Sequence, residues 1–309
     1  GGGLGVPVRG VGEAEGVHPE EGGRAGRKEK EGPKNAPHFS KDTKGPLPPL
    51  AWATVGIVTD THAHLDFLEP EELKEAQAHL PELRAVLTLG VDPARWERTL
   101  ALAQGNVYAA VGLHPTSAHL LSPEVEEALR HYARHPRVRA IGETGLDYYW
   151  TPETGPAQYR ALDFQAALAE ALGLPLVLHV RSRDGKAEED LSEWLLQNRP
   201  KKAVLHAFSG HPALERAGLE TGAYFSFAGP LTYKKNGALR EAARRLPREK
   251  LLVETDTPFL PPEPFRGQRN RPHYVRHTLF RLAESLGVSF EEAEALTDRN
   301  AEGLFRWSL

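Results

Sequence analysis

The chain has 309 residues, 40% of them hydrophobic and 26% charged, with a net charge of −4, the proportions of a globular protein with room for one barrel of about 250 residues. That small negative charge excludes a molecule that binds nucleic acid over its whole surface, so any polyanion must meet a local basic patch. The absence of cysteine excludes disulfides, thiolate metal sites and thiol catalysis, and no apolar run approaches the roughly 18 residues of a membrane span.

Residues 1–50 are rich in Gly, Pro and mixed charge and hold almost no large apolar side chain. Such a stretch cannot bury enough surface to offset its chain entropy, and it is expected to be a disordered, low-complexity N-terminal extension. The alternating charges between Arg24 and Glu31 suit a solvated linker. Gly1 to Gly12 lacks the charged and apolar blocks of a signal peptide, and a cytoplasmic location is the expectation.

From Ala51 onward, short β-branched segments alternate with longer amphipathic ones, the pattern of βα units and a parallel sheet. Strands are expected at 56–61, 85–89, 107–112, 138–143, 175–180, 203–207, 223–227 and 251–254. Helices between them carry recognisable caps: Ser122 followed by Pro123, and Ser289 with Glu292 as a capping box. A further helix is expected over 271–287. Eight strands separated by helices predict an α/β fold, a (β/α)₈ TIM barrel forming one domain over 51–309. An open doubly wound sheet fits less well, because no Gly-rich phosphate loop follows the first strand.

The chemistry-bearing residues fall where these apolar runs end, which in a barrel is the active-site face. His62 and His64 stand two apart at the end of the first strand and so project to one side. Glu143 ends the fourth strand, His179 the fifth, His206 the sixth, and Asp256 follows the eighth. Imidazole binds Zn, Mn, Fe or Co, and carboxylates neutralise charge and can bridge two ions. Four His with two carboxylates exceed what one catalytic ion with an open position needs; they suit two ions roughly 3.5–4 Å apart. The expected partition gives His62, His64 and Asp256 to one ion, His179 and His206 to the other, with Glu143 bridging. A bound water would have its pKa lowered toward about 7, and Asp256 is the expected catalytic base, oriented by Glu254 or Thr255. Asp60 and Glu254 are expected to support the ligands from behind.

His114 ends the third strand and faces the same mouth as an expected substrate contact. Loops after strands four to eight concentrate cations (Arg181, Arg183, Lys234, Lys235, Arg266, Arg269 and Arg271) and aromatics (Tyr148, Tyr149, Trp150, Phe208 and Tyr233). These could hold phosphates and stack on unpaired bases. Arg181, Tyr149, Phe208 and Arg269 are the preferred substrate contacts among them, Arg181 first because it lies two residues past His179.

The run Thr61-His62-Ala63-His64-Leu65-Asp66, with Gly112-Leu113-His114-Pro115, Gly142-Glu143-Thr144-Gly145-Leu146-Asp147-Tyr148-Tyr149, His179-Val180-Arg181, His206-Ala207-Phe208-Ser209-Gly210 and the stretch from Glu254 to Pro262, resembles the TatD-type metal-dependent nuclease family of the amidohydrolase superfamily. Arg266 to Pro272 and Asn300 resemble it too, and the similarity spans 51–309. The resemblance implies a barrel hydrolase with the six ligands named above and two divalent metal ions (Mg, Mn or Zn). It implies cleavage of phosphodiester bonds by attack of a metal-bound hydroxide, typically as a 3′-to-5′ deoxyribonuclease. The implied partner is DNA, as single strands or 3′ ends, with RNA or tRNA as further candidates; no membrane and no obligate protein partner is implied. Ala63 and Ala207 stand where members often carry Cys, and Ser182-Arg183-Asp184 is less typical. The same metal site would equally serve a D-aminoacyl-tRNA deacylase or another esterase or amidohydrolase.

Overall fold

A computed structural model of the chain describes residues 58–151 and 154–307. The expected disorder of 1–50 lies outside the described residues. Among those described, eight strands pair in parallel in the order β1 to β8. They are β1 (Val58–Ala63), β2 (Leu83–Gly90), β3 (Val107–Val111), β4 (Val138–Asp147), β5 (Leu176–Arg181), β6 (Ala203–Leu205), β7 (Tyr224–Phe227) and β8 (Leu251–Val253). The helices are α1 (Pro70–His79), α2 (Trp96–Leu102), α3 (Pro123–Ala133), α4 (Gly155–Leu172), α5 (Lys186–Asn198), α6 (Pro212–Thr221), α7 (Gly237–Arg245), α8 (Val275–Leu286) and α9 (Phe290–Phe305). The barrel closes just past β8, where Thr257 bridges to Ala63. There Asp256 N–H donates to His62 O at 2.7 Å and His64 N–H donates to Thr257 O at 2.8 Å. None of the described helices is long and apolar enough to cross a membrane.

Alternation along the strands builds two apolar layers. Ala85, Leu87 and Leu89 of β2 pack inside the barrel with Ala110, Val177, Val204 and Leu252. Val86 of β2 and Val107, Ala109 and Val111 of β3 face the helices instead. The interior is plugged at the strand starts by Leu304 and Phe305 of α9 and by Trp307 just after it. α9 also satisfies backbone groups there: Asp298 accepts from Thr59 N–H at 3.0 Å, and Asn300 donates to Leu251 O at 2.9 Å and Arg248 O at 2.8 Å. Asn300 is therefore a structural clamp at the end remote from the ligands.

The expected caps form. Ser122 accepts from Val125 N–H, and Ser289 and Glu292 make a reciprocal capping box. The expected helix over 271–287 is shorter, because Pro272–Tyr274 makes a 3₁₀ turn before α8 and Gly287 ends it in a left-handed conformation (φ 68°). β6 and β8 stop earlier than their apolar runs suggest. Ala207 N–H donates to the Glu254 carboxylate at 3.0 Å, and Ala207 itself takes φ 45°, so both strands leave the ladder to build the mouth. β4 instead runs four residues beyond Glu143. It can do so because Gly145 approaches β5 so closely that a Cβ there would lie 1.9 Å from His179 O.

Candidate metal centre

His62, His64, Glu143, His179, His206 and Asp256 lie in or just past the C-terminal ends of five strands and meet at one mouth. Glu143 is their hub. Its Oε2 lies 3.1 Å from His62 Nε2 and 3.2 Å from His64 Nε2. Its Oε1 lies 3.0 Å from His206 Nε2 and 3.1 Å from His179 Nδ1. Asp256 Oδ1 closes the first group, 3.4 Å from His62 Nε2 and 3.2 Å from His64 Nε2. Asp256 holds a left-handed backbone (φ 61°), a conformation rare for a non-glycine residue and concentrated at functional sites.

Partners behind the candidate ligands fix which nitrogen faces the centre. His64 Nδ1 donates to Leu89 O at 3.0 Å, and His206 Nδ1 donates to Glu254 Oε2 at 2.8 Å, so each turns Nε2 inward. His179 is reversed: its Nε2 donates to Asp147 Oδ2 at 2.8 Å and Nδ1 faces Glu143. His62 stacks on His206 with ring centres 3.8 Å apart. The expected orienting role of Glu254 or Thr255 toward Asp256 is not what the geometry provides. Glu254 holds His206 and Ala207, and Thr255 Oγ1 donates to Asp60 Oδ2 at 2.6 Å; Asp256 is set by its backbone bond to His62 O. Asp60 also accepts from His62 N–H at 3.2 Å, which ties the start of the motif to the segment after β8.

Burial works against ionisation of Glu143, yet the charges of His206 and His62 and bonds from His179 and His206 hold it well below the usual carboxylate range. Burial likewise pulls His179 down, but Asp147 and Glu143 outweigh it and push it up to about 9. His64 and His206 are raised by their carboxylates in the same way. A pocket that draws protons onto adjacent imidazoles is one in which positive charge is short, and a divalent cation supplies that charge. Donor spacing agrees. Bonds of about 2.0–2.2 Å at octahedral to tetrahedral angles put neighbouring ligand atoms roughly 2.8–3.6 Å apart, and the donor-to-donor distances around Glu143 run from 3.0 to 3.2 Å.

Residues 59–306 match the family described as TatD related DNase. The chain belongs to this family. It is 34% identical over 257 residues to the uncharacterized metal-dependent hydrolase YabD of Bacillus subtilis, across 81% of this chain and 99% of YabD. It is 32% identical over 246 residues to the 3′-5′ ssDNA/RNA exonuclease TatD of Enterobacter lignolyticus, across 77% of this chain and 94% of that protein. The crystal structure of YJJV, a TatD homolog from Escherichia coli, superposes with a TM-score of 0.73 at 29% identity and covers 81% of this chain and 98% of its own. This TatD-family chain is thus a metal-dependent hydrolase, and its buried His, Glu and Asp cluster is the candidate metal centre.

The remaining residues expected at the site divide sharply. His114 reaches it: its ring centre is 4.4 Å from that of His179, and Nε2 is 3.7 Å from Glu143 Oε1. Burial and the neighbouring His179 depress its pKa to about 3, and Thr116 N–H donates to its Nδ1 at 3.1 Å, so the neutral ring presents Nε2–H to the mouth. Phe208 does not reach it. Its ring is 3% exposed and packs edge-on against Phe225 and Phe227, which leaves no face for a base and corrects the expected stacking role. Arg269 is bound to Glu72 at 2.9 Å and to Phe67 O at 3.0 Å, and Arg271 to Glu75 at 3.1 Å, so both tie the segment after β8 to α1. Tyr148 donates to Asp190 at 2.9 Å and Tyr233 to Pro261 O at 2.8 Å. Asp147 was not among the expected site residues. Its signal was its position four residues past Glu143, on the same side of an extended strand.

Proposed function

We propose that this chain is a two-metal phosphodiesterase that hydrolyses DNA, taking single strands and 3′ ends. One observation carries the reading: the two oxygens of Glu143 face different pairs of imidazoles, Oε2 facing His62 with His64 and Oε1 facing His179 with His206. A carboxylate so divided suits a bridge between two ions, and Asp256 completes the first set. When bound, such ions polarise a phosphate, activate water at neutral pH and stabilise the leaving oxygen.

The chain's own residues supply the rest. Asp256 is the most exposed of the central carboxylates, with 13% of its side chain accessible against 4% for Glu143, and is placed to accept the proton of the attacking water. His114 Nε2–H donates to a phosphate oxygen beside Glu143. Asp147 and Glu254 keep His179 and His206 in the ligating tautomer. The Enterobacter lignolyticus relative is named as a 3′-5′ ssDNA/RNA exonuclease, which supports a nucleic-acid substrate.

The test is digestion of an end-labelled single-stranded oligonucleotide with added Mg, Mn or Zn, beside the blunt duplex. Cleavage that shortens the strand from its 3′ end, faster on the single strand, is the expected result. No cleavage with any metal, together with rapid deacylation of a D-aminoacyl-tRNA, would move the chain to the esterase class.

A further inference from the structure

Beside the metal centre, the loop after β4 and the end of β5 bring together two arginines and two aromatic rings that the hydrolytic groups do not use. The Arg181 guanidinium lies 4.0 Å from the centre of the Tyr149 ring and 5.6 Å from that of Trp150. Arg183 lies 4.1 Å from the same Tyr149 ring. Tyr149 and Trp150 meet edge to face, with ring centres 4.7 Å apart, and Trp150 is 44% exposed. We propose that these four residues form a nucleotide subsite, in which an unpaired base stacks on Trp150 and its phosphate is held by Arg181 and Arg183.

Charge balance points to an anion. Arg95, Arg269 and Arg271 are each paired with a carboxylate, whereas among the described residues neither Arg181 nor Arg183 lies against one. Two guanidiniums gathered on one ring repel each other, and the ring's negative face offsets only part of that cost. A phosphate, which a planar guanidinium binds through two parallel hydrogen bonds, removes the remainder.

Placement points to a nucleotide next to the reacting bond. Arg181 is two residues past the ligand His179 and pairs with Asp147 across the β4–β5 ladder. The Asp147 carboxylate serves both neighbourhoods. Oδ2 holds His179 at 2.8 Å, while Oδ1 accepts from the backbone N–H groups of Tyr149 at 2.9 Å and Trp150 at 3.0 Å. One buried side chain therefore sets the distance between a metal ligand and the aromatic pair. Stacking on an exposed indole needs a free base face, which a paired base inside a duplex does not offer, so the subsite selects single strands.

The inference rests on the nucleic-acid reading above, and the experiment separates the two. Binding of a fluorescein-labelled single-stranded oligothymidylate to the full chain in EDTA is followed by anisotropy across salt concentrations. Cleavage of the same strand and of bis(4-nitrophenyl) phosphate is then measured with Mn. Trp150→Ala is expected to weaken binding about tenfold. Arg181→Ala with Arg183→Ala is expected to do the same and to lower the slope of log Kd against log salt by about 1. Both should lose at least about ten times more kcat/KM on the oligonucleotide than on the small ester. Lys201→Ala with Lys202→Ala, which removes the same charge just ahead of β6 at the far end of the barrel, should bind within about twofold of wild type. Wild-type Kd and salt slope in the subsite variants, or equal losses on the two substrates, overturn the subsite while leaving the nuclease reading intact. A wild-type chain that hydrolyses the ester but neither binds nor cuts the oligonucleotide overturns both.

Discussion

At the mouth of the barrel, Glu143, Asp147 and Glu254 are buried among imidazoles, whereas at its base Asp298 is buried beside Arg84, 3.2 Å away, and the backbone N–H of Thr59. Burial opposes ionisation in all four, and the outcomes differ. The mouth carboxylates are held below their usual range by the histidines they face. Asp298 is pushed up to about 6, because burial outweighs Thr59 and Arg84. Asp60, one layer behind His62, is pushed up to about 8 although Thr255 and His62 N–H donate to it. Depth does not separate these groups; the presence of imidazoles does. The mouth concentrates ionised carboxylates around nitrogen lone pairs, an arrangement complete only with cations, while Asp298 completes a structural clamp.

The largest expected effect tests the hub. Glu143→Gln keeps the shape but removes the negative charge and turns one of the two oxygens that face the imidazoles into an NH2 group, and kcat/KM should fall by at least about 1,000-fold, with metal content falling in elemental analysis. Near wild-type rates would remove Glu143 from the chemistry. Smaller losses are expected behind the ligands. Asp147→Asn and Glu254→Gln should each cost about 10–100-fold in metal affinity or activity, and titration of the chelator-stripped protein with Mn, followed by calorimetry, reads this directly. An unchanged affinity for both would mean that tautomer control at His179 and His206 is dispensable.

The smallest effect belongs to the base. Since the folded pKa of Asp298, about 6, exceeds its ordinary 3.8, its favourable contribution is present below about pH 4 and is lost as pH rises through about 6. Asp298→Asn keeps an acceptor for Thr59 N–H and should flatten that decline, on the order of 2 kcal/mol, in melting curves taken between those pH values without altering metal affinity. A mutant that melts with the same pH slope as wild type would assign the decline to other groups.

The strands and the six candidate ligands were legible because both obey local rules: apolar runs set the strands, and five of the eight runs end in a side chain of metal-binding type at the face where a barrel opens. Asp147 was harder to read, since its role depends on β5 lying alongside and on Gly145 letting the strands approach. Phe208 misled because a ring in a loop after a strand end looks available until Phe225 and Phe227 pack against it. The arginines were the least legible. Arg269 and Arg181 both read as rim cations in the sequence, but α1 presents Glu72 to the one, while among the described residues aromatic rings flank the other.

Sequence by itself determined the barrel, its caps and the candidate set of metal-binding side chains, because periodicity and strand-end position act over a few residues. The tertiary structure decided which nitrogen of each histidine faces inward, that Asp256 is aimed by its backbone, and which rim arginines meet a carboxylate among the described residues. Those features depend on partners from distant strands and helices, and a side chain's charge balance exists only once its neighbours are in place.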